Sequence, residues 1–238
     1  MIASAGVASR RAAEEMILAG RVSVGGRVVT ELGIRVHPEK DIVRVDNVPI
    51  SGEQRKTYLL LHKPKECVTT LSDPQGRKTV RSLIPGVEER LFPVGRLDYD
   101  AEGLLILTND GALAHRLQHP RHGVPKVYEV KVKGHPDEGA MNRLRTGVVL
   151  EEGTTAPADV TVLRLLPNAA WLRIVLHQGW NRQIKRMGES VGHPVLKIKR
   201  TAYGPLVLGK LAPGEYRHLS ASEVKQLYRT VLLDEERT

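Results

Sequence analysis

Residues 95–111 read GRLDYDAEGLLILTNDG, and this stretch decides the fold. Its apolar run at 104–107 predicts a buried strand. The turn residues that follow the strand lead into a helix, which we predict over 112–118. Arg96 and Asp98 stand in the loop just before the strand. A single carboxylate in such a place is usually an ordinary loop residue or a helix cap. The stretch therefore predicts a loop, strand, turn and helix in that order.

The chain beyond residue 55 alternates strand-like and helix-like segments. Short apolar runs bounded by turn residues predict strands, and apolar residues three or four positions apart predict helices. This mixture indicates an α+β fold whose central sheet is mainly antiparallel. Strands are predicted at 104–108, 127–133, 158–165, 171–177 and 195–200, and helices at 112–118, 137–145, 181–191 and 221–230.

The first fifty residues have the pattern of a separate small unit. Ser9 predicts the N-cap of a short helix with one apolar face, and Gly20 predicts its end. A Gly-Gly pair at 25–26 between two short valine-containing runs predicts a β-hairpin. A polar, aperiodic linker follows at 51–56. We therefore predict two domains, a small α/β-hairpin module at 1–52 and an α+β domain at 55–230.

The charge of the chain indicates a polyanionic partner. Its 36 lysines and arginines against 27 aspartates and glutamates give a formal net charge of +9 over 238 residues. Such an excess favours binding to phosphates, which release counterions. Residues 178–210 hold seven cations against one glutamate, although a run of this kind can also be a solvated face. Because aromatic residues make up only 4% of the chain, we expect recognition by phosphate contacts and shape.

The composition argues against several other classes of protein. Hydrophobic residues make up 41% of the chain, but no apolar run approaches the roughly 20 residues that span a bilayer. The start at Met1 lacks the pattern of a signal peptide, and the single Cys67 cannot form an internal disulfide, so we expect a cytoplasmic protein. The nine histidines show no HExxH or paired-cysteine pattern, so we expect no metal.

The 95–111 stretch resembles the catalytic motif of the RsuA-like pseudouridine synthases, whose essential carboxylate falls on Asp98 by direct match of GRLD. Other segments match the same family in the same order, so that the resemblance covers nearly the whole chain. These segments are LHKPK at 61–65, Thr70 with DPQGR at 73–77, LFPV at 91–94, KVYEV at 126–130, NRQIKRM at 181–187, GHPV at 192–195 and YGPL at 203–206.

The first fifty residues resemble the small S-four RNA-binding domain that often precedes this catalytic domain. The matching segments are AGVASRR at 5–11 and GRVSV at 20–24. Relatives usually carry one or two more helical turns at the start, so we expect a shortened first helix. Within the family, the segments at 61–121 are most similar to the RluB branch, which acts on large-subunit ribosomal RNA.

The resemblance implies that uridine is isomerised to pseudouridine in ribosomal RNA. The similarity to the RluB branch implies that this RNA is 23S rRNA. The resemblance also implies that the partner is this RNA or an assembling large subunit and that no cofactor is needed. We expect the protein to be a monomer. Three alternatives remain open: a 16S rRNA pseudouridine synthase, a non-catalytic rRNA-binding assembly factor, and a nucleoside hydrolase or glycosylase that would release free uracil.

Three residues carry the implied chemistry. The bond from N1 to C1′ must break and C5 must join C1′, and a carboxylate can serve by covalent addition or by removing the C2′ proton. The resemblance assigns this role to Asp98. It places Tyr128 against the extruded uracil, and it makes Lys185 the cation that keeps Asp98 ionised in a pocket that excludes water.

Other polar residues receive supporting roles. We expect Asp110 to cap the helix at 112–118, and Asp100 and Glu102 to face solvent. Trp180 stands where relatives commonly carry arginine, which replaces a phosphate contact with a stacking surface. The cations predicted to bind RNA are Arg10, Arg11, Arg21, Arg27, Arg96, Arg182, Arg186, Lys197 and Arg200.

Overall fold

In the computed structural model the chain forms two compact units. The structure describes residues 1–37, 40–50, 52 and 54–232. The smaller unit is Met1–Thr57 together with Val87–Leu91, and the larger contains the remaining described residues from Tyr58 onward. None of the described helices is long and apolar enough to cross a membrane. Residues 51 and 53 of the predicted linker lie outside the described residues.

The smaller unit is a helix followed by short antiparallel strands, as predicted. Helix α1 (Arg10–Leu18) begins at Ser9, whose Oγ accepts a hydrogen bond from the Ala12 amide at 3.1 Å. The chain leaves the helix through Gly20, at φ +68°. The glycines at 25–26 turn the hairpin with φ of +56° and +82°, values that suit glycine. The strands are β1 (Val22–Val24), β2 (Arg27–Val29), β3 (Val43–Val45) and β4 (Val48–Pro49), in the order β2-β1-β3-β4.

The larger unit is built around one mixed sheet. Its strand order is β11-β12-β8-β13-β7-β5-β15, with β14 on β13 and β6 on β7, while β9 and β10 pair separately. Among the pairs of described strands only β13 with β7 is parallel, which confirms a mainly antiparallel sheet. The strands are β5 (Tyr58–Lys63), β6 (Phe92–Pro93), β7 (Glu102–Thr108), β8 (Lys126–Lys133), β9 (Val149–Leu150), β10 (Gly153–Thr154), β11 (Asp159–Leu166), β12 (Ala169–Leu176), β13 (Val195–Tyr203), β14 (Leu206–Val207) and β15 (Tyr216–His218).

Four α-helices of the larger unit, counted over the described residues, cover the sheet in two groups. Those helices are α2 (Gly111–Gln118), α3 (Glu138–Thr146), α4 (Gln183–Ser190) and α5 (Ala221–Leu232). Apolar residues of α3 and α4 share a core with β8, β12 and Ile198 of β13, while α2 and α5 share another with β5 and β7. The carboxylate of Asp110 accepts a hydrogen bond from the Leu113 amide at 3.1 Å, which confirms the predicted cap of α2.

The parallel junction of β7 and β13 depends on Gly103. Its φ is +120°, and a β-carbon there would lie 2.3 Å from the carbonyl oxygen of Arg200. Overlap of that size cannot be relieved by a side-chain rotation, because the obstructing atoms are backbone. The close approach of these two strands joins the two halves of the sheet, and it places the loop before β7 beside β13.

Candidate active site

A cavity of about 380 Å³ lies over β8 and β13, between the end of α2 and the start of α4. Its lining includes Arg96 and Asp98 from the loop before β7, Tyr128 from β8 and Arg200 from β13. A volume of this size falls in the range of small-molecule sites and can hold a nucleoside. The structure therefore brings Asp98 and Tyr128 into one cavity, as the sequence predicted.

The loop that carries Asp98 is held by its backbone. Thr69 Oγ1 donates to the Leu97 carbonyl at 2.6 Å and accepts from the Leu97 amide at 3.2 Å. The Glu66 amide donates to the Tyr99 carbonyl at 2.7 Å. By contrast, the half-buried Asp98 carboxylate makes no hydrogen bond or ion pair with any described residue. The loop is thus fixed while its reactive group remains available to a substrate.

Lys63, at the end of β5, is the strongest support of this loop. Its side chain is fully buried, and Nζ donates to the carbonyls of Pro64 at 3.0 Å, Asp98 at 3.0 Å and Ala101 at 2.9 Å. Burial lowers the pKa of Lys63 to about 8, while the charges of Asp98 and Asp100 oppose the shift. Lys63 was not among the predicted site residues, although it lies in the matching segment 61–65, because a lysine is rarely fully buried.

We expect Lys63→Met to slow product formation at saturating RNA by about ten- to a hundredfold, because the loop loses three fixed contacts and small displacements of a reacting group are costly. Single-turnover rates would measure the effect. Lys65→Met is the matched control, since its ammonium has no partner among the described residues. An unchanged rate in Lys63→Met would show that the loop holds its position without this lysine.

Lys63→Met should also change how the unfolding free energy depends on pH. The folded pKa of about 8 lies below the ordinary 10.5, so the unfolded chain binds more protons between these two values. Stability from this group therefore rises as pH increases through that window. We expect the difference in unfolding free energy, wild type minus Lys63→Met, to grow from pH 7 to pH 10. A constant difference by urea denaturation would contradict the lowered pKa.

Lys185 lies beside the Asp98 loop, where it pairs with Asp100 rather than with Asp98. Its Nζ donates to Asp100 Oδ2, so the ammonium engages the carboxylate two residues further along the loop. Partial burial raises the pKa of Asp100, but the hydrogen bond and charge of Lys185 outweigh it and lower that pKa below its ordinary value. Asp100 is exposed, as predicted, and is paired with Lys185. Glu102, which was also predicted to face solvent, is instead half-buried at the start of β7.

The two partners should contribute unequally to stability. The Lys185 side chain is 11% exposed, whereas that of Asp100 is 62% exposed. Asp100→Ala would leave a nearly buried ammonium without its partner, so we expect a loss of about 1 to 3 kcal/mol. Lys185→Met would leave a carboxylate that water can solvate, and we expect a loss below about 1 kcal/mol. Urea denaturation of both variants measures this order, and the reverse order would contradict the account.

Two cations and two tyrosines form the floor of the cavity. Tyr128 is buried in the core, as its alternation in β8 predicted. Arg200 Cζ lies 5.3 Å from the centroid of the Tyr203 ring, and Lys126 Nζ lies 5.2 Å from the same centroid. Burial, with the charge of Arg200, lowers the pKa of Lys126 to about 8. Lys126 was not among the predicted site residues, although it lies two residues before Tyr128 and so shares its face.

Arg200 is nearly fully buried, and one nitrogen of its guanidinium is left without a hydrogen-bond acceptor among the described residues. Its Nε donates to the Leu104 carbonyl at 2.7 Å, and Nη1 donates to the Arg96 carbonyl at 3.4 Å. Nη2 is buried and has no hydrogen-bond partner among the described residues. A buried guanidinium nitrogen without a partner is costly unless a ligand supplies an acceptor. Arg200 therefore both supports the loop and presents a donor to the cavity.

The other predicted RNA-binding cations differ in their surroundings. Arg96 and Arg182 are exposed and line the cavity, and Trp180 lines it as well. Arg186 is held by both oxygens of Glu152 at 2.7 Å, and Arg21 is held in the same way by Asp46, so neither guanidinium is unpaired. Lys197 lies on β13 outside the cavity lining. Arg10, Arg11 and Arg27 are exposed on the smaller unit.

A mixed sheet crossed by a cavity, in a chain that also carries a helix–hairpin unit, is the architecture of a pseudouridine synthase with an added RNA-binding domain. The chain belongs to the RNA pseudouridylate synthase family, whose model matches residues 57–190. The S4 domain model matches residues 1–49. The protein is therefore an isomerase that acts on RNA, and the predicted family resemblance is confirmed.

Relatives match over almost the whole chain. A protein of Aquifex aeolicus (strain VF5) named as an uncharacterized RNA pseudouridine synthase is 48% identical over 231 residues, which cover 97% of this chain and 92% of that protein. The ribosomal large subunit pseudouridine synthase B of Bacillus subtilis (strain 168) is 44% identical over 229 residues, 95% of this chain and 93% of the relative. A crystal structure of pseudouridylate synthase matches with a TM-score of 0.70 at 28% identity, covering 95% of this chain and 96% of that one.

Proposed function

We propose that this protein isomerises a specific uridine of 23S ribosomal RNA, with Asp98 as its essential carboxylate. The observation that carries the proposal is the Asp98 carboxylate, which lines a nucleoside-sized cavity and has no partner among the described residues. The Bacillus subtilis relative, named as a large-subunit synthase, supports the choice of RNA. We place the activity in the cytoplasm, where ribosomal RNA is available, and we propose that a monomer suffices because one chain supplies the whole cavity.

The chemistry requires a reactive carboxylate and a base held in place. The N1–C1′ bond breaks, the uracil turns within the cavity, and C5 bonds to C1′; the proton on C5 is then lost while N1 gains one, so the composition of the RNA is unchanged. Asp98 either adds covalently to the nucleoside or removes the C2′ proton and later returns it. Both routes need the target base extruded from its stack.

The surrounding residues divide the remaining tasks. Tyr128 supports the extruded uracil from the floor of the cavity. Arg200 Nη2, which lacks a partner among the described residues, donates to an oxygen of the bound nucleotide. Lys185 positions the loop through Asp100 and adds positive charge near Asp98. Arg96 and Arg182, exposed at the cavity, bind the flanking phosphates.

The two domains are proposed to share the work, with residues 1–52 contributing affinity and residues 55–230 the chemistry. The exposed Arg10, Arg11 and Arg27 of the S4-type domain offer phosphate contacts. Phosphate contacts add affinity and carry a salt dependence, but they do not act on the glycosidic bond.

Mapping pseudouridines in ribosomal RNA tests the proposed substrate. We expect cells that lack the gene to lose one pseudouridine in 23S rRNA, and the wild-type gene, but not Asp98→Asn, to restore it. A lost position in 16S rRNA would overturn the choice of subunit. No change in either RNA would overturn ribosomal RNA as the substrate.

A further inference from the structure

The sheet of the larger unit has a basic face opposite the cavity. Four residues lie side by side across β13, β8, β12 and β11, and we call them the outer row: Lys197, Lys131, Trp171 and Arg164. Lys197 is in register with Lys131, Lys131 with Trp171, and Trp171 with Arg164. With strands about 4.8 Å apart, the outer row extends about 14 Å.

Strand alternation places the outer row away from the cavity. The residues next to it along the strands, Val130, Val132, Leu172 and Ile198, are buried in the core shared with α3 and α4. Because successive side chains of a strand point to opposite faces, the outer row lies on the other face. Lys197 and Arg164 are exposed there, and Lys131 and Trp171 are half-buried. The four side chains make no hydrogen bond, ion pair or ring contact with any described residue.

The charge of the outer row is uncompensated, and this indicates an anionic ligand. Lys131 and Lys197 stand directly opposite each other on adjacent strands, an arrangement of like charges that destabilises a sheet. The next row on the same face alternates in sign, because Glu129 stands between Arg173 and Lys199. The sequence thus supplies an acid one row away but none in the outer row.

We propose that the outer row is a second RNA-binding surface, which holds a single-stranded segment of the substrate RNA away from the target uridine. Lys197, Lys131 and Arg164 would bind phosphates, and a base would stack on the indole of Trp171 between two cations. Aromatic and basic residues on an open sheet surface bind single-stranded RNA in this way. The identity of the RNA rests on the proposed function, whereas the surface itself rests on charge and register.

Binding of RNA to Lys131→Gln/Lys197→Gln tests the surface. With a long 23S rRNA transcript as the probe, we expect affinity to fall about tenfold and the salt slope of binding to fall by about 1.4, the value for two phosphate contacts to a single strand. Trp171→Leu should lower affinity with little change in salt slope, because stacking releases no counterions. Lys225→Gln/Arg229→Gln, which removes two exposed cations from α5, is the matched control and should change neither quantity.

Two further measurements separate this role from a structural one. Without RNA, the Lys131→Gln/Lys197→Gln variant should unfold at the same or a higher temperature, because repulsion is relieved. Its single-turnover rate at saturating RNA should stay within about twofold of wild type, as should its affinity for a short hairpin that carries only the target loop. Unchanged affinity for the long transcript, or an equal loss on the short hairpin, would overturn the second surface. A wild type that binds through the outer row yet forms no pseudouridine in ribosomal RNA would instead refute the proposed substrate alone.

Discussion

Asp98→Asn is expected to reduce pseudouridine formation by about a thousandfold or more. Asparagine keeps the size of the side chain but can neither add to the nucleoside nor accept a proton as a carboxylate does. Because the Asp98 carboxylate has no partner among the described residues, its loss should leave the unfolding temperature and the affinity for RNA almost unchanged. Single-turnover assays with RNA in excess of its dissociation constant would measure the effect.

Asp100→Asn is the matched control for this variant. It removes a carboxylate from the same loop, but one that is engaged by Lys185. Because the asparagine amide oxygen can still accept a hydrogen bond from Lys185, the loop keeps this contact, and we expect the variant to retain most of the activity. Appreciable product from Asp98→Asn, or an equal loss in the two variants, would contradict the assignment of the chemistry to Asp98.

Gly103→Ala is expected to cost more than about 3 kcal/mol of unfolding free energy. The added β-carbon would lie 2.3 Å from the Arg200 carbonyl and 2.5 Å from its amide nitrogen, on a backbone with φ +120°. Backbone strain and forced separation of β7 from β13 both contribute. Since Arg200 also supports the Asp98 loop, activity should be lost along with stability.

Gly86→Ala provides the comparison for Gly103→Ala. Gly86 also has a positive φ, of +76°, but a β-carbon there meets no atom within 4 Å. We expect a loss of about 1 to 2 kcal/mol, the cost of a left-handed conformation alone. Urea denaturation measures both variants, and similar losses would show that the close approach of β7 and β13 is not required.

Local features of the fold were predictable because short-range chemistry fixes them. The Ser9 cap, the glycine turn at 25–26 and the Asp110 cap each depend on residues within a few positions. The parallel pairing of β13 with β7 was not predictable, because it joins segments far apart in sequence and depends on a close approach at Gly103.

The reactive residue of the site could be predicted from the sequence, but the contacts of the cations around it could not. A long motif identified Asp98, but the partner of Lys185 depends on how far a flexible side chain reaches, and the structure gives Asp100 instead. From the sequence alone, the cations of residues 178–210 could form either one binding surface or a solvated face. Strand alternation separates them, since Arg200 lies in the floor of the cavity and Lys197 lies on the opposite face.

Release of tritium from ribosomal RNA labelled at C5 of uridine tests the central claim most directly. Bonding of C5 to C1′ expels the hydrogen on C5, whereas glycosidic hydrolysis would free labelled uracil and simple binding would release nothing. We predict that the purified protein releases one equivalent of tritium per 23S rRNA with no free uracil, and that Asp98→Asn releases none. Release of free uracil by the wild type, or equal tritium release by Asp98→Asn, would contradict an isomerisation that depends on Asp98.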